Sequence, residues 1–204
     1  VRPVRGVLAL AELASRTNAA GVIVAAGSAS EARLVSDLPV VGVGDLQGLA
    51  SFLDGLDPVP PAGGETRSPV VDAYERHRPS TLDLSSIRGQ SVAKRAVEIA
   101  AVGGHNLLLV GPPGCGKTMI ARGLVDLLPP LGREEILEVQ AVRSAAGLPF
   151  DVATLSRPGF RTPHHTSSPA ALVGGGSNPR PGEVSLAHHG ILMLDELPEF
   201  SAAA

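Results

Sequence analysis

Eight consecutive residues, Gly111, Pro112, Pro113, Gly114, Cys115, Gly116, Lys117 and Thr118, have the types and spacing of a phosphate cradle. Glycines let backbone N–H groups turn inward around an anion, because they accept backbone conformations that other residues resist. A helix starting at the end of such a loop adds the positive end of its dipole. Lys117 brings a point charge to the β- and γ-phosphates of ATP, and the Thr118 hydroxyl is a ligand for Mg2+. Cys115 fills a variable position of the loop with no base to name as its partner, so its thiol reads as packing rather than as a nucleophile. Met119 follows directly and is grouped with the nucleotide-contacting residues.

Much further along, Gly190-Ile-Leu-Met-Leu-Asp195-Glu196 is an apolar run that ends in two carboxylates. In enzymes with a phosphate loop of this kind, an aspartate after four apolar residues positions the metal, and an adjacent glutamate polarises the water that attacks the γ-phosphate. Lys117, Asp195 and Glu196 thus form a candidate catalytic set, with Thr118 and Asp195 serving Mg2+. An isolated Asp-Glu would more simply end a strand in solvent. The loop upstream tips the reading to chemistry.

These residues need a frame. Asn106-Leu-Leu-Leu-Val110 reads as a central parallel strand covered on both faces, and Met119 to about Leu128 as the helix after the loop. A helix from Ser91, its expected N-cap, to about Ala101 carries Val92, Ala96, Val97, Ile99 and Ala100 on one side. Closer to the N-terminus the pattern is helix over 7–14, strand Gly21–Ala25, helix Ser30–Val35, strand Val40–Val43, then a helix capped by Asp45 and running to about Leu53. Residues 57–80, with Pro58, Pro60, Pro61, Gly63, Gly64 and Pro69, read as a linker. The predicted organisation is an α/β piece over 1–56, a linker over 57–80 and a P-loop NTPase unit with a parallel-sheet core over 81–204.

Composition narrows the function classes. The net charge of −3 gives no general attraction to nucleic acid, so DNA binding would rest on local arginines or on a ring of subunits. One cysteine rules out an internal disulfide framework and a multi-cysteine metal site, and fits a reducing, cytoplasmic setting. No run approaches the length of a membrane span, so no membrane partner is expected. With aromatics at 2% and no tryptophan, base stacking on an aromatic platform is disfavoured. Two histidine pairs, His164-His165 and His188-His189, raise a metal reading, but adjacent side chains of an extended segment point opposite ways and no cysteine or close carboxylate is expected to complete a set. Packing or hydrogen bonding within the surrounding segments is the favoured role. Arg143, Arg157, Arg161 and Arg180 could touch DNA or a neighbour's nucleotide; solvated arginines are the commoner case.

A resemblance adds to this. Ile87-Arg-Gly-Gln90, Glu98-Ile-Ala-Ala-Val-Gly-Gly-His-Asn106, the phosphate loop, Leu128-Pro-Pro-Leu131, Phe160-Arg-Thr-Pro-His-His-Thr166, Gly174-Gly-Gly176 with Pro181-Gly-Glu183, and Ser185-Leu-Ala-His188 together resemble the magnesium-chelatase-like AAA+ family. Within it the likeness is to the ComM/YifB-type competence proteins, and it covers nearly the whole chain. The resemblance implies that residues 1–56 are the C-terminal part of a Lon-protease-like (ribosomal S5 domain 2-like) domain. It also implies that Ile87 and Gly89 border the adenine, that the AAA+ domain forms homo-hexameric rings, and that segments between Arg133 and His189 face the ring pore or neighbouring subunits. Competence members of the family drive DNA branch migration in natural transformation. Chelatase motor subunits instead power magnesium insertion into porphyrin, and usually begin near the Ile87 region.

The chain starts at Val1 and stops soon after Glu196, and the expectation is a fragment cut after the acidic strand. A sensor strand, an arginine finger and a helical lid, which the resemblance calls for, do not fit in the residues after Glu196. Such a chain is expected to bind ATP weakly and hydrolyse it barely. Three functions compete: a segment of a DNA-remodelling ATPase, a chelatase motor subunit, and a non-catalytic nucleotide-dependent interaction module.

Overall fold

The computed structural model describes residues 1–35, 38–55 and 83–201, and the linker expected over 57–80 lies outside these described residues. In chain order the elements are α1 (Val7–Arg16), β1 (Val22–Ala25), α2 (Ala29–Ala32), β2 (Val40–Val43), α3 (Leu46–Leu53), α4 (Ser91–Gly103), α5 (Lys117–Val125), α6 (Arg133–Ala146), β3 (Phe160–Arg161), α7 (Pro169–Val173), β4 (Gly174–Gly175), β5 (Arg180–Pro181), α8 (Glu183–Leu186) and β6 (Ile191–Leu192). The chain packs as two compact units. One holds α1 to α3 with Gly132–Ser156; the other holds the rest of the described residues.

In the first unit the predicted helix, strand, helix, strand, helix order is present. The strands β1 and β2 pair in parallel from Val22↔Val40 to Ala25↔Val43. Asp45 caps α3 by accepting the Gly48 N–H at 2.7 Å, which satisfies one of the free donors at a helix start. Gly42 has to be glycine, because a Cβ there would lie 2.9 Å from the Ala29 Cβ where α2 crosses β2. The helix α6 packs against α1 and buries Ile136, Val139, Gln140 and Ser144. Its start is marked by Glu135, which accepts the Gly132 N–H at 2.7 Å, and its end by Gly147 at φ +74°. Gly132–Ser156 therefore groups with the N-terminal elements, although the sequence reading puts this stretch within 81–204.

In the second unit α4 packs on α5, and Ile87, Val97 and Ile120 form its core with Leu84, Ala93, Leu107, Leu109 and Leu124 against them. The helix α4 begins one residue earlier than expected in its cap: Gln90, not Ser91, is the N-cap, at φ +56°. The larger departure concerns residues 106–110. They were expected as a strand covered on both faces, yet they belong to none of the three two-stranded sheets among the described residues, and Leu108 and Val110 are exposed. The inward Leu107 and Leu109 keep the alternation of an extended segment with one covered face. A ladder needs a neighbouring backbone about 4.8 Å away, and the described residues here pair only β3 with β6 and β4 with β5. The acidic strand is likewise shorter than expected, two residues paired in parallel with β3. The architecture is thus mixed α/β with short parallel sheets.

Candidate nucleotide-binding site

The loop before α5 is shaped by glycine. Gly114 at φ +77° and Gly116 at φ +89° take the left-handed backbone that a side chain would strain, and open space surrounds both. The helix then starts at Lys117 itself. Inside the loop the Lys117 ammonium donates to the carbonyl oxygens of Gly111 at 3.0 Å and Pro112 at 3.1 Å, so the lysine closes the loop on itself. Cys115 turns its Sγ toward this centre, 4.0 Å from the ammonium, in keeping with a packing role. Met119 is exposed on the first turn of α5.

The structure brings the two distant motifs together. Across 77 residues of sequence, the Thr118 hydroxyl donates to the Asp195 carboxylate at 3.2 Å. Asp195 Oδ1 also accepts the backbone N–H of Glu196 at 3.1 Å, where the chain bends through a left-handed residue, Glu196 at φ +55°. Thr118, Thr162, Pro163, His164, His165, Met193, Asp195 and Glu196 line an open cleft of about 340 Å³. A hydroxyl and a carboxylate meeting at its wall form the all-oxygen donor set that Mg2+ prefers. Together with a glycine cradle that leaves room beside it, these residues suit a magnesium nucleotide.

The pair β3–β6 sets the height of the acidic residues. Ile191 N–H donates to the Gly159 carbonyl and Met193 N–H to the Arg161 carbonyl, each at 2.8 Å. The backbones come so close that a Cβ on Gly190 would sit 2.3 Å from the Gly159 oxygen. From β3 the chain runs into Thr162–His165, which line the same cleft. Arg161 is held by a two-pronged ion pair, Nε to Glu183 Oε2 and Nη2 to Oε1, both at 2.6 Å. The Glu183 hydrogen bond pushes the guanidinium pKa up.

The other sequence candidates divide. Arg161 is committed to Glu183, Arg157 pairs with Asp126 at 3.2 Å, and Arg143 donates to the Pro149 carbonyl at 3.4 Å, while Arg180 is exposed on β5. The histidine pairs correct the expectation that adjacent rings point apart: the His164 and His165 rings lie 4.2 Å apart, those of His188 and His189 4.1 Å. Neither pair is in extended chain. His165 and Thr166 form a turn, and His189 adopts φ +50°, so the alternation of a strand does not apply. Ile87 is buried in the core, whereas Gly89 is exposed at φ +66°. A residue the sequence reading passed over is Gln90, whose amide donates to the Cys115 carbonyl at 3.1 Å and ties the start of α4 to the phosphate loop. Its only signal was its place beside Gly89. For His165 hydrogen bonding was an expected role, but its partner, Glu196 at 3.2 Å, was not foreseen.

Comparison with known proteins gives the family. The family model for magnesium chelatase, subunit ChlI, matches residues 83–204. An uncharacterized protein of Mycobacterium tuberculosis is 48% identical over 206 residues, covering 100% of this chain and 39% of that protein. The YifB protein of Salmonella typhimurium is 44% identical over 98% of this chain and 38% of its own length. The competence protein ComM of Haemophilus influenzae is 44% identical over the same shares. The chain belongs to the magnesium-chelatase-like family of AAA+-type ATPases, in its ComM/YifB branch. It spans about two fifths of the length of these relatives. Among the described residues no helix is long and apolar enough to cross a membrane.

Proposed function

We propose that this chain carries the ATP-binding part of a ring-forming AAA+ motor that acts on DNA, of the competence type. The observation that carries the reading is the meeting of Thr118 with Asp195 at 3.2 Å on the wall of a cleft that Glu196 also lines. In this reading residues 111–118 hold the phosphates, Thr118 and Asp195 hold Mg2+, and Glu196 polarises the attacking water. Bound magnesium supplies charge neutralisation between the phosphates. Lys117 turns from its loop carbonyls to the β- and γ-phosphates, and Ile87 and Gly89 border the adenine, next to Gln90, which holds the loop at the Cys115 carbonyl. Ile87 supports that segment from the core. The Lon-like origin of the first unit, the hexamer, the DNA substrate and a cytoplasmic site of action belong to the same proposal.

Support for the competence type over a chelatase motor comes from coverage. The likeness to ComM runs over 98% of the chain, including the first unit, while the chelatase family model matches only 83–204. The nucleotide reading is tested by Lys117→Ala, which should abolish binding of a fluorescent ATP analogue; unchanged affinity would show that the phosphates sit elsewhere. The DNA reading is tested in a chain of the relatives' full length, by ATP turnover with and without branched DNA. A ring that turns over ATP with no response to DNA would sink it.

A further inference from the structure

We propose that His165 is a positioning residue for Glu196, an inference that rests on the reading of Glu196 as the group that orients water. The contact is direct: His165 Nδ1 lies 3.2 Å from Glu196 Oε2. A carboxylate only accepts, so the proton of this bond sits on Nδ1. The neighbouring ring is already engaged otherwise. His164 Nδ1 accepts the Thr166 N–H at 3.3 Å and lies 2.8 Å from the Thr166 hydroxyl, which leaves His165 as the one of the pair that donates to Glu196.

The two partners differ in freedom. The His165 side chain is 29% exposed, walled on one side by the His164 ring, while the Glu196 side chain is 65% exposed. An exposed glutamate samples several rotamers, and ordering it costs free energy that a fixed donor offsets. Its backbone at φ +55° needs such support as well. His165 is itself held in place, since it follows β3, whose Arg161 is clamped by Glu183. The arrangement is a base oriented by a third group, with the orienter fixed from behind.

The geometry also predicts which substitutions restore the role. In asparagine the amide nitrogen is separated from the backbone by the same bonds as Nδ1 of histidine, whereas in glutamine it is one carbon further out. In a chain of the relatives' full length, His165→Ala should lower kcat by about 100-fold, the order of effect expected when a reacting group is misplaced by about 1 Å, with affinity for the ATP analogue unchanged. His165→Asn should recover most of kcat, and His165→Gln should not. Equal losses in Asn and Ala variants, or a loss confined to nucleotide affinity, would overturn the proposal.

A second measurement needs no turnover. In the 204-residue chain labelled with 15N-histidine, Glu196→Gln should shift the His165 Nδ1 resonance, and Glu98→Gln on α4 should not. No shift with Glu196→Gln would also overturn it. Failure here is distinct from failure of the nucleotide reading, because that reading falls only if Lys117→Ala leaves ATP-analogue binding intact.

Discussion

The ion pair between Arg161 and Glu183 is the best place to test whether the acidic motif depends on its surroundings. Both prongs are 2.6 Å long, and the side chains are 35% and 23% exposed, midway between a surface pair and a buried one. Unit charges about 4 Å apart attract by roughly 4 kcal/mol at an effective dielectric constant near 20. Desolvation and the ordering of two long side chains take back much of that. Exposed pairs are worth up to about 1 kcal/mol, and removing one partner of a buried pair costs about 3–5 kcal/mol. A two-pronged, half-buried pair should therefore couple by about 1–2 kcal/mol.

The measurement is a double-mutant cycle with Arg161→Met, Glu183→Gln and both together, which removes the charges while keeping most of the bulk. Unfolding in urea has to be followed by circular dichroism, because the chain has no tryptophan. The coupling should shrink as salt rises, to the extent that solvent reaches the pair. The same variants should weaken the His165–Glu196 contact, which would appear as a moved His165 15N resonance. A coupling below about 0.3 kcal/mol, within the additivity expected of independent sites, would refute the claim that this pair fixes β3 and the cleft wall. It would also return Arg161 to the pool of side chains free to meet a ligand.

Three other outcomes follow from local geometry. Asp45→Ala should destabilise the first unit by about 1 kcal/mol through loss of the α3 cap and leave ATP-analogue binding unchanged; equal stability in urea would show that the cap bond is dispensable. Gly116→Ala meets no atom within 4 Å, so its cost is the left-handed backbone alone, about 1–2 kcal/mol. That should weaken analogue binding about tenfold, and wild-type affinity would show that the loop does not need this shape. The Ser85 N–H at 2.8 Å, then the Ser85 side chain and the charge of Lys94, hold the Asp83 carboxyl below the ordinary aspartate range. Because the folded pKa is the lower one, the stabilisation is present above the unfolded pKa and is lost as pH falls through the folded value. A 13C titration should place the Asp83 midpoint below that of an unfolded aspartate, and a midpoint at or above it would contradict the hydrogen bond.

The parts of the site that were legible in sequence are those where chemistry restricts residue type. Only glycine accepts φ near +80° at low cost, so Gly114 and Gly116 announce the loop, and Lys117 and Thr118 follow at the register where the charge meets the phosphates and the hydroxyl meets the metal. Asp195 could be matched to Thr118 across 77 residues because metal chemistry demands both. Asp45 was legible for a similar reason, as a short oxygen donor placed to accept the Gly48 N–H. The N-terminal alternation of helices and strands was likewise written in local periodicity. Residues 106–110 show the limit. Three leucines and a valine say that a segment is extended and apolar, but whether its outer side is covered depends on a neighbouring backbone that no local pattern encodes. The helix α6 shows the same limit from the other side: its caps, Glu135 on Gly132 and Gly147 at φ +74°, are visible locally, while its packing on α1 is not.

The residues whose contacts could not be read in sequence share a cause, and it bears on how the site works. Gln90, His165 and Glu183 touch no ligand in the proposed reading; the first two contact residues that do, and Glu183 holds Arg161 on β3, the strand paired with the one that leads to the acidic residues. Motif spacing registers the groups that meet phosphate or metal, because their types are fixed by the ligand. Supporting residues need only present a donor or a charge at the right place, and several types do that, as the expected equivalence of histidine and asparagine at position 165 illustrates. What fixes them here is backbone approach. Gly190 lets its backbone approach that of Gly159, where β3 and β6 begin to pair, at a distance no Cβ on Gly190 allows, and His164 and His165 then line the same cleft as Asp195 and Glu196. On this argument a Cβ at Gly190 should damage the site through the cleft wall even though every motif residue stays in place.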